Sequence, residues 1–124
     1  MPIAYWCILV AALLPLVLVG YAKAGARDND APRDGAEKLS GAKRRAYAAH
    51  QNAYENFPFF AVAVIAALSF GAAPTALNVL ALLYIAFRIA HGYLYISDRP
   101  TLRSAAYAGA MFANIAIFAL PAFK

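Results

Sequence analysis

No charged residue occurs between Ile3 and Val19, and that run narrows what this chain can fold into more than any other feature. A helix on the surface of a soluble protein needs a polar stripe toward water, and this run has none on any face. Three further segments continue the pattern. Residues 3–22, 45–70, 75–96 and 102–123 are each long enough to cross a hydrocarbon layer about 30 Å thick, which takes about 20 mostly apolar residues per helix. Of the 124 residues, 64% are hydrophobic and 14% charged, so little sequence remains for a separate soluble domain. The expected fold is all-α and integral to the membrane: one four-helix antiparallel bundle, residues 1–124, with a polar loop at 23–44.

Ala22-Lys23-Ala24 has the small-x-small form of a leader cleavage site. However, no basic residue precedes Ile3, and the apolar run exceeds the about 7–15 residues of a signal core, so the segment reads as a retained span. The single cysteine, Cys7, excludes an intrachain disulfide and a cysteine-rich metal site. His50 and Glu55 are five apart on one helix, which does not match the i, i+4 spacing of helical metal pairs, and no metal site is expected.

Lys23 to Arg45 holds seven basic and four acidic residues, whereas the Gly71–Thr75 link holds none. Basic loops stay cytoplasmic. By the parity of four spans the Ser97–Arg103 loop shares that side, and both termini face outward. The mixed charges next to a membrane, without interleaved aromatics, exclude a nucleic-acid surface. Gly71-Ala-Ala-Pro74 makes the second and third spans antiparallel neighbours, and Thr75 and Thr101 are candidate helix caps.

Polar residues inside a membrane are costly unless paired or turned to a protein interior, so they mark candidate sites. On the second span Arg45, Asn52, Glu55 and Asn56 fall within about 100° of one another, with His50 nearly opposite Arg45. On the third, Tyr84, Arg88, His91 and Tyr95 follow i, i+4, i+7, i+11. On the fourth, Arg103, Tyr107 and Asn114 share a face. The start of span two, the end of span three and the start of span four lie at one depth, which predicts a single cytoplasm-facing cavity. It would suit an anionic or zwitterionic ligand, with an apolar co-substrate arriving from lipid. Glu55 is also a candidate counter-ion for Arg88, and His50 reads as structural.

Two stretches then carry a resemblance. One is Arg45-Ala-Tyr-Ala-Ala-His-Gln-Asn-Ala-Tyr-Glu leading to Phe57-Pro58-Phe59. The other is Arg88-Ile-Ala-His91 through Tyr95 to Leu102-Arg103-Ser104-Ala-Ala-Tyr107. Together they resemble the membrane-associated proteins in eicosanoid and glutathione metabolism, the microsomal glutathione transferase-like proteins, in the form of a small bacterial-type member.

The resemblance implies a homotrimer in a bacterial inner membrane, binding glutathione between subunits near the cytoplasmic face and acting as a transferase or peroxidase on lipophilic small molecules. It implies that Arg103 favours the thiolate and Ser104 donates a hydrogen bond. It implies that Asn52 and Glu55 hold the γ-glutamyl end, with His91, Tyr95 and Tyr107 lining the pocket. Arg45 and Arg88 complete that set, and Lys23 reaches a glutathione carboxylate from the neighbouring subunit. Gln51 and Ala48 depart from the pattern, standing where other members carry basic residues. The alternative function is a non-catalytic membrane scaffold or lipid-binding trimer that keeps the fold.

Overall fold

The computed structural model describes residues 1–24 and 39–123, and among them it contains helices and no strand. Four helices run in order: α1 (Ile3–Ala22), α2 (Gly41–Ser69), α3 (Pro74–Ile96) and α4 (Pro100–Ala119). A 3₁₀ turn at Leu120–Phe123 closes the chain. By length and composition α1, α3 and the segment Pro100–Phe123 qualify as membrane spans. α2 is the longest helix, but Lys43, Arg44, Arg45 and Glu55 make its first half polar. Residues 25–38 of the polar loop expected at 23–44 lie outside the described residues.

The exterior is as apolar as the core, as a lipid environment requires. Val17, Phe112, Val62 and Phe118 are 69%, 72%, 59% and 58% exposed, an apolar surface that a water-soluble monomer does not present. Inside, the helices approach on small residues: Ala4, Ala11, Ala63, Ala67, Ala81, Ala110 and Ala113 are all buried. Close backbone approach of this kind is how membrane helices associate where there is no water to drive burial. Phe60 and Tyr84 fill the centre, stacked face to face at 4.0 Å between centroids and 7° between planes. Ala63 and Ala67 of α2 are fully buried in this core.

The turns use backbone geometry rather than the expected caps. Pro74 and Pro100 occupy the first helical positions, where a missing N–H costs nothing. Neither helix has a side-chain cap, so the roles expected of Thr75 and Thr101 are not realised. α2 ends with Gly71 at φ 73°, and α3 with Asp98 at φ 60°. Ala72 N–H bonds Ala67 O at 2.9 Å and Arg99 N–H bonds Leu94 O at 2.9 Å, closing each helix with a left-handed residue.

Two long-range bonds fix α1. Ala4 N–H donates to Asn78 Oδ1 at 3.0 Å, so a residue of α3 satisfies the N-terminus of α1. His50 of α2 approaches the Pro15 carbonyl with Nδ1 at 3.0 Å. A carbonyl only accepts, so Nδ1 carries the hydrogen.

Candidate functional site

Three helix ends build one polar pocket. α2 supplies Asn52, α3 supplies His91 and Tyr95, and α4 supplies Arg103, Ser104 and Tyr107, around a cavity of about 240 Å³. They meet because α2 and α4 begin where α3 ends. The Arg103 guanidinium lies 4.4 Å from the Tyr95 ring centroid, a cation–π contact that holds a long, otherwise mobile side chain at the wall. The His91 ring meets Tyr95 edge-on at 5.6 Å and is tilted to Tyr107 at 6.2 Å. His91 is buried, and its Nδ1 has no hydrogen-bond partner among the described residues.

Behind Asn52 lies Arg88, only 4% exposed. Its Nη2 donates to Asn52 Oδ1 at 2.9 Å, and its Nη1 has no partner among the described residues. The Asn56 amide donates to the Asn52 backbone carbonyl at 2.9 Å and to Asn52 Oδ1 at 3.3 Å. Asn114, further along α4, is buried beside the Tyr84 hydroxyl.

The other side of α2 carries a second cavity, about 350 Å³, lined by Tyr47, His50, Gln51, Tyr54 and Glu55. The His50 ring lies 4.9 Å from Tyr54 and 5.4 Å from Tyr47. The Lys23 ammonium and the Arg44 guanidinium each sit 5.6 Å from the Tyr47 ring centroid. Lys43 Nζ donates to the Ala24 carbonyl, tying the start of α2 to the end of α1.

Of the ten residues expected at the site, six line the first pocket and Arg88 stands directly behind it. Three do not join them within one subunit. Glu55 is exposed and belongs to the second cavity, so it is not the counter-ion of Arg88; Asn52 takes that contact. Arg45 donates from Nε to the Ile96 carbonyl at 3.0 Å, and so serves the C-terminus of α3. Lys23 stands over Tyr47. The sequence reading missed the Arg88–Asn52 contact and the backing role of Asn56, although the i, i+4 spacing of the two asparagines was a usable signal. Among the described residues no cluster of three or more metal-ligating side chains occurs.

The pattern of the MAPEG family, the membrane-associated proteins in eicosanoid and glutathione metabolism, matches residues 3–123. The chain belongs to the MAPEG family. MAPEG proteins are membrane helical bundles that generally use glutathione, and their roles lie in glutathione-related transfer and peroxide chemistry or in eicosanoid metabolism. No curated protein and no solved structure is similar enough to this MAPEG chain to be matched.

Proposed function

We propose that the protein is a membrane-embedded glutathione-dependent transferase or peroxidase acting on lipophilic electrophiles. The observation that carries this reading is the Arg103 guanidinium. It is anchored on Tyr95 at the wall of a pocket lined also by Ser104, His91, Tyr107 and Asn52, with no carboxylate in the lining among the described residues. Such a pocket favours an anion. A thiol of pKa about 8.5 is only a few per cent ionised at neutral pH, and an adjacent cation raises the thiolate fraction. A shift of about two units corresponds to about 2.7 kcal/mol of preferential stabilisation.

In this reading Arg103 holds the sulfur as thiolate and Ser104 donates to it. The sulfur then bonds an electrophilic carbon as the leaving group departs with the electron pair. With a hydroperoxide it takes the terminal oxygen instead, and the alcohol leaves after protonation. The cavity of one subunit is smaller than the about 300 Å³ at which pockets for drug-sized ligands begin. Completion by a neighbouring subunit of a homotrimer fits that size, with Glu55 and Lys23 reaching the ligand from the second side of α2. The pocket then opens to the cytoplasm and both termini lie outside, as the basic loops require.

Calorimetry of the detergent-purified protein with glutathione tests binding, and chlorodinitrobenzene and hydroperoxide assays test turnover. The ultraviolet absorbance of bound thiolate, titrated against pH in the wild type and in Arg103→Ala, tests the role of Arg103. An unchanged titration in an intact assembly removes Arg103 from the chemistry and favours the non-catalytic scaffold.

A further inference from the structure

A buried guanidinium needs an anion, and among the described residues no carboxylate reaches Arg88. What reaches it is an amide. Arginine has donors only, so the Asn52 atom facing it is the oxygen. The Asn56 amide points the same way: it bonds the Asn52 backbone carbonyl, so it presents its NH2, and its second target is again Asn52 Oδ1. Two donors converge on one oxygen and occupy both its lone pairs. The side chain cannot flip without setting donor against donor. Its Nδ2, with two hydrogens and no acceptor among the described residues, is the end left to the pocket.

We infer that Arg88 is a positioning residue that locks the Asn52 amide with its NH2 turned into the pocket, making this wall a receptor for a carboxylate of the ligand. The ligand's charge then answers the buried guanidinium through the polarised amide, where neighbouring hydrogen bonds strengthen one another. An ammonium finds no acceptor on the Asn52 side chain. The inference rests on the proposed glutathione site and divides its polar ends: a carboxylate goes to Asn52, and the ammonium goes to Glu55 on the other side of α2. It also gives Arg88 a function that needs no contact with the ligand.

The near-isosteric change Asn52→Asp tests this directly. It offers Arg88 a carboxylate and takes the donor from the pocket. The detergent-purified variant should unfold at a higher temperature than the wild type, and Asn52→Leu at a lower one. Asn52→Asp should bind glutathione about 100-fold more weakly. Two analogues locate the group, one with the γ-glutamyl carboxylate amidated and one with the glycine carboxylate esterified. One of them should lose about tenfold in affinity for the wild type and show little further loss in Asn52→Asp.

Arg88→Gln frees the amide to rotate. It should erase the discrimination between glutathione and that analogue, and Arg88→Lys, which keeps a donor to Asn52 Oδ1, should restore part of it, a rescue that a merely structural role does not produce. An Asn52→Asp protein that binds glutathione like the wild type, or that unfolds no later than the wild type, overturns the inference. A folded wild type that ignores glutathione overturns the functional reading alone. Acetate and glutamate at high millimolar concentration then decide the inference: they should raise the unfolding temperature of the wild type and not of Asn52→Asp, and equal responses overturn it.

Discussion

The two sides of α2 handle polarity in opposite ways. On the side facing α3 and α4, Asn52 is gripped from behind by Arg88 and Asn56, and buried atoms of Arg88 and His91 remain unpartnered. On the side that includes α1, His50 is bonded to the Pro15 carbonyl and packed between Tyr47 and Tyr54, while Glu55 stays exposed. Unsatisfied buried groups cost about 1–3 kcal/mol each, so a fold retains them where a ligand will supply the partner. The first side keeps buried polar atoms without partners among the described residues, as the proposed ligand site would need; the second engages its histidine in a bond of its own beside a cavity of about 350 Å³.

Substitutions on each side break or sharpen that contrast. Arg103→Ala should give the largest effect, lowering turnover at neutral pH by about 100-fold while glutathione still binds. Without the cation the thiol titrates nearer its solution value of about 8.5. The rate should then climb as pH rises toward that value, whereas the wild type, already ionised, should change little; pH–rate profiles of both decide it. Gly109→Ala comes next. A Cβ there would lie 2.6 Å from the Phe87 ring, so that ring has to shift where α4 packs on α3. Overpacking of this kind costs about 1–3 kcal/mol, which thermal unfolding reads, and activity should fall with it.

Glu55→Gln should weaken glutathione binding by about tenfold through loss of the ammonium partner. It should leave the unfolding temperature unchanged, because Arg88 relies on Asn52. A marked loss of stability would return Glu55 to the role of counter-ion. His50→Phe should have the smallest effect, about 1 kcal/mol of stability from the bond to Pro15, with turnover retained. A loss of turnover in that variant would join the two sides of α2 into one site.

The spans were legible because charge is absent from Ile3 to Val19 and because polar residues of α3 recur at helical spacing. That spacing placed Arg88, His91 and Tyr95 on one face, and His91 and Tyr95 duly line one pocket. It could not choose between Asn52 and Glu55 as the partner of Arg88. Both lie within one arc of α2, and the choice depends on the rotation of that helix, set by the packing of Ala49, Ala53, Ala63 and Ala67. The bond from Arg45 was hidden for a related reason: its acceptor is the main-chain carbonyl of Ile96, a group present at every position and so invisible to motif reasoning. The threonine caps failed because the proline before each had already set the helix start.

The bond from Ala4 N–H to Asn78 Oδ1 spans 74 positions and bears on the order of biosynthesis. A ribosome delivers α1 first, yet the amide at its leading end lacks this acceptor until α3 has been made. In hydrocarbon an unanswered N–H costs several kcal/mol, so the newly inserted α1 has reason to keep that end near the headgroups. α1 is thus completed only when α3 arrives, and a chain interrupted after α2 carries an unfinished α1.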